Sequence, residues 1–595
     1  MSARWRGGAK PHDTGNGLIC ASFGARGDWL SVGRPHVRHG FVELSGMPGF
    51  DEGLRGHPNA VRQYRAAMTD PGNAFLALEP LPEGIALDWS VRAPPGEYLI
   101  SQVLRLRATG TGPPPALRLR FRGRLDRPAL AMITEVGRPL SAMAVHTWLT
   151  AEGARLHISA PELPAQAAIL VEAPEGGTWH VAGADAELSL PWPANMPALD
   201  LRVTCELRLP DAVHASPTGR LGQRIGDGGA GLALPAELRE DVFRMQARAL
   251  TYVRECTALR VGSDRLAILT DHRLLPLSWT RDAYYQALLL LRAGHAGTVA
   301  DHLRWLWLSC DRPAGIWARS HHANGSRKDD VYQVDQQLYP LLELADFWRA
   351  TGELPELDGS RDRRSWPELV SAVVDGLLGR LSEEGLLPTD ENAADDPAGL
   401  PYLLANQILG WHTFRRLIEL PSELHSTTPL QTLAKRLREA VERHFTADGP
   451  GGPVWAYSVD GRGASVLYHD ANDVPTALAP LWGFCTASDP IWRATMDYAF
   501  SPANPGYAAG PYGGLGSRHT PGVWPLGLLQ QWVARSLAGD HAAADDALRR
   551  LVACAMADGS LPEASDPATG RMLARPWFAW PGALLGALLP IDDHG

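Results

Sequence analysis

Lysine is almost missing from this chain: Lys10, Lys328 and Lys435 are the only lysines among 56 basic residues. The remainder are arginines, a bias that makes any lone Arg weak evidence of function. Cysteine is scarce too, and Cys20, Cys205, Cys256, Cys310, Cys485 and Cys554 are scattered, without the paired spacing of a zinc site or redox motif. They read as reduced packing residues. A basic excess is lacking, since 66 acidic residues outnumber the bases and give a formal net charge of -10. Without a positive field to meet a phosphate backbone, nucleic acid is disfavoured as a partner. Long apolar runs are absent as well: no stretch approaches roughly 18 uninterrupted apolar residues, and no apolar run follows the charged Met1-Ser-Ala-Arg-Trp-Arg-Gly-Gly start. A cytoplasmic protein with no membrane partner is the expectation, and its oligomeric state is unknown at this level.

What is present is enough for two folded domains: 595 residues, 45% of them hydrophobic, with 60 Gly and 48 Pro, below the level at which unpatterned disorder is the better reading. The first third alternates with period two. Leu117, Leu119 and Phe121 fall on one face with arginines between them, and Leu201, Val203, Cys205, Leu207 and Leu209 repeat the pattern. Pro/Gly punctuation at 110–115 and 173–177 separates such strands, which predicts an antiparallel β-sandwich-like domain over 1–220. A Gly-rich stretch then predicts a linker at 221–235. From 236 to 595 the period becomes helical, with twelve segments at 236–259, 281–294, 298–310, 331–350, 367–382, 401–419, 429–446, 474–486, 489–500, 523–538, 541–556 and 578–589. Twelve helices joined by loops as long as 383–400 and 447–473 suit a closed double ring of six hairpins better than a simple bundle. The fold class is therefore α+β multidomain.

Fourteen of the 20 tryptophans lie after residue 225, several at loop or helix ends: Trp279, Trp317, Trp455, Trp524 and Trp577. Any one indole is usually core material, but as a group beside carboxylates they suit the apolar faces of sugar rings. Four polar clusters stand where helices begin. In Trp279-Thr-Arg-Asp-Ala-Tyr-Tyr-Gln286, Asp282 is either a favourable charge at a helix start or, with Arg281, part of a ligand site. Gln333 and Asp335 sit in an otherwise apolar segment, where a carboxylate is either paired structurally or faces a ligand. Asp390, Glu391, Asp395 and Asp396 form either a solvated acidic loop or the seat of a general acid whose pKa its neighbours raise. Glu563 lies in a turn-rich loop before Trp577-Phe-Ala-Trp580, with Arg575 close by in sequence. Two separate carboxylate loops in one aromatic-lined ring would make the acid and base of glycoside hydrolysis.

Several rarer strings follow in order: Tyr457-Ser-Val-Asp-Gly-Arg-Gly, His469-Asp-Ala-Asn-Asp-Val-Pro475, Asn504-Pro-Gly-Tyr, Gly516-Ser-Arg-His-Thr-Pro521, Trp524-Pro and Trp577-Phe-Ala-Trp580. In these, and in Trp279-Thr-Arg-Asp282 and Gln333-Val-Asp335, the chain over about 275–590 resembles the inverting exo-α-mannosidases of glycoside hydrolase family 125. More distantly, Leu561-Pro-Glu563 followed by Asp-Pro-Ala-Thr-Gly570 resembles the glucoamylase-like glycosidases. Departures from the mannosidase pattern are Gln333 for a Glu, Pro562 for a His, and one extra residue in the His469–Pro475 stretch.

The resemblance implies an (α/α)6 barrel of the six-hairpin glycosidase type and an exo-acting, inverting α-glycosidase acting on an oligosaccharide or glycoside. An α-mannosidase, 1,6-specific by resemblance, is preferred over a glucoamylase-like α-glucosidase. Asp396 or Asp395 would be the acid and Glu563 the base. Trp279, Arg281, Asp282, Gln333, Asp335, Asp470, Asn472, His519 and Trp577 would hold the sugar. No metal or cofactor is implied by spacing. A polysaccharide lyase and a non-catalytic carbohydrate-binding protein are the readings of other classes.

Overall fold

The computed structural model describes residues 5–8, 10–24, 29–45, 49–50, 63–66, 73–77, 85–109, 117–122, 124–126, 147–163, 165–183, 185–209, 232, 234–357, 364–424 and 430–590. Most of the expected linker, and the punctuation at 110–115, lie outside these residues. The first third is β-structure, every named pair antiparallel. Its largest sheet has eight strands with Ala198–Arg208 and Leu99–Ala108 at the centre. The period-two reading holds residue by residue: Leu201, Val203, Cys205 and Leu207 are buried while Arg202 and Arg208 are exposed. Inward side chains from three sheets share one core, among them Val32, Leu44, Leu104, Ile169, Phe121 and Leu188. The one polar side chain we single out there is satisfied, because Gln102 Oε1 accepts from the Trp29 indole at 2.6 Å.

Beyond residue 238 the described chain contains twelve α-helices, one in each expected segment: α1 Arg239–Tyr252, α2 Thr280–Arg292, α3 Ala296–Leu308, α4 Asp335–Thr351, α5 Trp366–Leu378, α6 Leu404–Leu417, α7 Leu430–His444, α8 Val474–Trp482, α9 Pro490–Ala499, α10 Pro525–Leu537, α11 His541–Cys554 and α12 Ala579–Leu588. The even-numbered helices touch in cyclic order, α2 to α4, α6, α8, α10 and α12, and α12 closes back on α2. These are the helices apolar or buried nearly all round, as inner elements must be. Odd-numbered helices lie against them, α7 on α6, α11 on α10 and α1 on α12. Amphipathic α7, with Leu430, Leu433, Ala434, Leu437 and Val441 buried and charges elsewhere, shows the outer pattern. None of the helices among the described residues is long and apolar enough to cross a membrane.

The two halves interlock. Cys20 and Phe41 of the β half belong to the helical core, and backbone N–H groups of Arg6 and Gly7 donate to the carbonyls of Ala553 and Ala555. At the seam Lys10 and Arg248 both pair with Asp13 and, at 2.9 and 3.0 Å, with Asp558. Burial alone would push Asp13 up, but Arg248 and Lys10 hold it well below the usual carboxylate range. All six cysteines are free, five of them buried.

Candidate active site

Because the even helices form the ring, the segments that precede them can meet at one end, and those before α2, α6, α8, α10 and α12 do. A cleft of roughly 370 Å³ is lined by Trp279, Arg281 and Asp282 at the start of α2, Ala393, Ala394 and Asp395 ahead of α6, and Asn472 ahead of α8. His519 and Trp524 ahead of α10, and Glu563, Arg575, Phe578 and Trp580 around the start of α12, complete it with Thr270. Of the residues expected from sequence, Trp279, Arg281, Asp282, Asp395, Asn472, His519 and Glu563 are thus brought together.

Asp395 lies in the acidic loop in a left-handed conformation, φ 64°, uncommon for a non-glycine residue though Asp adopts it more readily than most. Its two carboxylate oxygens are each gripped: Oδ2 accepts from the Trp279 indole at 3.0 Å and Oδ1 from Gln333 Nε2 at 2.7 Å. Arg281 stands 3.7 Å from Oδ1. The neighbouring Asp396 turns the other way. Its side chain is 41% exposed, is not part of the cleft wall, and lies 3.3 Å from His519 Nδ1. Glu391 is enclosed by Arg319 and Gln333, and burial pushes its carboxyl up against the pull of Arg319.

Asp282 is buried at the cleft wall, accepts from the Thr270 hydroxyl, and has Arg281 Nε at 3.6 Å. Burial pushes it up to about 6, against the pull of Arg281 and the Thr270 hydrogen bond. Arg281 is itself fixed by Asp335 at 2.7 Å and lies over the Trp580 ring at 5.3 Å. Gln333 and Asp335 therefore stand one layer behind the cleft and act on residues that line it. Asp470 is in the same layer: it accepts from Tyr468, Ser517 and both the backbone and side-chain N–H of Asn472, at 2.6–2.9 Å. These bonds fix the Asn472 side chain where it lines the cleft.

In the segment before α12 that lines the same cleft, Glu563 is buried, 4% exposed. Its carboxylate receives the Thr520 hydroxyl at 3.3 Å and the Arg575 guanidinium at 3.4 Å.

Trp577 is not where a sugar platform was expected. It faces the seam between the halves and donates its indole N–H to Asp13 at 3.0 Å, with Arg273 over its ring. The cause is backbone geometry: Phe578 is extended, φ -153° and ψ 107°, so neighbouring side chains point to opposite sides. Phe578 and Trp580 line the cleft instead. The alternation of Trp577-Phe-Ala-Trp580 before a helix carried that signal, whereas nothing marked Thr270. Among the described residues no group of three His, Cys, Asp or Glu side chains is arranged to hold a metal ion.

A ring of helices thus encloses an aromatic cleft that holds two carboxylates from separate loops, Asp395 and Glu563, and comparisons with known proteins bear on what it resembles. Residues 365–589 match the family model described as metal-independent alpha-mannosidase (GH125). The matched stretch runs from α5 to α12 and takes in most of the helical half. The meiotically up-regulated gene 157 protein of Schizosaccharomyces pombe is 26% identical over 227 residues, 36% of this chain, and the chain spans 44% of that relative's length. Among solved structures, a metal-independent α-mannosidase of Streptococcus pneumoniae, in a non-productive complex with α-1,6-mannobiose, is similar with a TM-score of 0.51 and 21% identity. The likeness covers 59% of this chain and 94% of that one. A bacterial glucoamylase complexed with acarbose is similar over 98% of this chain and 93% of its own, with a TM-score of 0.66 and 10% identity. The β half and the helical half together therefore have a glucoamylase-like fold.

Proposed function

We propose that the chain is an exo-acting, inverting α-mannosidase that removes a terminal α-1,6-linked mannose from an oligosaccharide. In this reading the ring of even helices inside odd ones is an (α/α)6 barrel, 236–595, and the β half, 1–220, is a sandwich-like domain seated on its side. The observation that carries the reading is that Asp395 and Glu563, from loops on different helices, line one small cleft with Trp279, Trp524, Phe578 and Trp580. The family-model match and the mannobiose complex of the similar structure support mannose.

Asp395 protonates the glycosidic oxygen as the bond to C1 breaks. Glu563 takes a proton from the water whose oxygen bonds to C1 from the opposite face. Inversion needs the carboxyl groups roughly 6.5–9.5 Å apart with water between them. Arg281, Asp282, Asn472 and His519 hold the hydroxyls of the sugar, and Gln333, Asp335 and Asp470 hold those residues.

Proton NMR of the anomeric signal during early turnover of an α-mannoside tests the mechanism. The β-anomer is expected first; initial α-anomer would mean a covalent intermediate and a wrong carboxylate assignment. The second reading, an α-glucosidase, is favoured by the full-length likeness to the glucoamylase and by Leu561-Pro-Glu563. Release of glucose from maltose or isomaltose, with aryl α-mannosides left intact, would select it.

A further inference from the structure

Glu563 presents a physical problem for a base. A carboxylate with 4% of its surface exposed loses hydration, and burial favours the protonated form, which cannot accept a proton from water. The groups that answer this are Thr520 and Arg575. The Arg575 guanidinium Nη1 lies 3.4 Å from Oε1, and the contact is doubled through the backbone, where Glu563 N–H donates to the Arg575 carbonyl at 3.2 Å. The hairpin Ala564–Ser565 against Met572–Ala574 brings the two residues side by side, with Ala564 opposite Ala574. Arg575 itself has φ 43°. Among the described residues three non-glycines are left-handed, and two of them, Asp395 and Arg575, border this cleft. Such a conformation is held in place by its surroundings.

We propose that Arg575 is the counter-ion that keeps Glu563 ionised and aimed at the attacking water, a positioning residue for the base. This rests on the assignment of Glu563 as base. In the step it serves, water gives its proton to Glu563, the water oxygen bonds to C1, the glycosidic C1–O bond breaks, and Asp395 protonates the leaving oxygen. The other titratable groups around the cleft are Arg281 and Asp282 at the start of α2, Asp395 in the acidic loop and His519 ahead of α10. Asp271, in the loop before α2, also lies within the field of Arg575.

The test compares pH profiles of kcat/KM on an aryl α-mannoside for wild type, Arg575→Met and Arg575→Lys, with Glu563→Ala assayed with and without sodium azide. Loss of an adjacent opposite charge should move the acid limb of Arg575→Met up by about one pH unit or more and lower kcat about 10–100-fold, with KM changed little. Arg575→Lys, which keeps the charge and most of the stem, should restore much of the limb. Azide needs no base, so it should rescue Glu563→Ala as the β-glycosyl azide: C1–N forms, C1–O breaks, and Asp395 supplies the leaving-group proton. An acid limb unmoved in Arg575→Met, or a raised KM with unchanged kcat, would make Arg575 a sugar-binding residue and overturn the proposal. Absence of azide rescue in a folded Glu563→Ala would instead overturn the base assignment beneath it. Should Arg575→Met not fold, Arg575→Lys with a limb identical to wild type and only KM altered overturns it equally.

Discussion

The indole of Trp577 is fastened to the carboxylate of Asp13 at 3.0 Å, joining residues 564 positions apart in the chain and fixing the segment that enters α12 to the first strand of the β half. One residue further on, Phe578 lines the cleft. Through this indole and the buried ion cluster around Asp13, the β half bears on the cleft wall, beside its other contacts with the helical half such as Ser22 with His272 at 2.7 Å.

From this, Trp577→Phe should cost stability and spare sugar binding. Removing the indole donor leaves a buried carboxylate with one partner fewer, a loss of about 1–3 kcal/mol. Thermal unfolding and KM measured together decide the point. A large rise in KM at unchanged stability would return Trp577 to the sugar site.

Glu563→Gln should fold and bind the sugar product as wild type does while turnover falls about 10²–10⁴-fold. Steady-state kinetics beside product titration by calorimetry separate the two effects. Hydrolysis near the wild-type rate would remove Glu563 from the chemistry.

The acidic loop separates its two neighbours cleanly. Asp395→Asn should damage hydrolysis of a mannose disaccharide far more than that of an aryl glycoside with a good leaving group, since the latter needs little protonation. Asp396→Asn, outside the cleft wall, should stay within a few-fold of wild type on both. Equal losses on both substrates in Asp395→Asn would show that it binds rather than protonates.

Asp282 gives a pH-dependent stability. Its folded value, about 6 against an ordinary 3.8, means the folded protein holds this proton more tightly than the unfolded chain. Stability from this group is therefore full below the ordinary value and falls as pH rises towards the folded one, by about 3 kcal/mol at most. Asp282→Asn lacks that dependence, so its melting temperature relative to wild type should climb between about pH 4 and pH 7. A constant difference across that range would show that Asp282 ionises there without penalty.

The helical half was legible because each inner and outer helix carries a long apolar stripe, and all twelve segments are where the 3.6-residue period put them. The starts moved where a polar group takes the backbone away from the helix. α4 begins at Asp335 rather than 331 because Val334 N–H donates to Thr389, and α6 begins at Leu404 because Tyr402–Leu403 pairs with Ser458–Val459. Site residues were legible as types in loops, but a layer of depth was not: Asp335 and Asp470 read like sugar ligands until their donors are seen. Which of Asp395 and Asp396 turns inward depends on one left-handed φ, and no spacing rule encodes it.

The segments that line the cleft precede five different inner helices, α2, α6, α8, α10 and α12, and the segment before α4 backs them through Gln333. Any one of them can change length or composition while the ring behind stays closed, because lengthening a surface loop adds little free energy. Gln333, the extra residue between His469 and Pro475, and Pro562 beside Glu563 all fall in such segments. A protein built this way can exchange one sugar preference for another wall by wall, its scaffold unaware of the change.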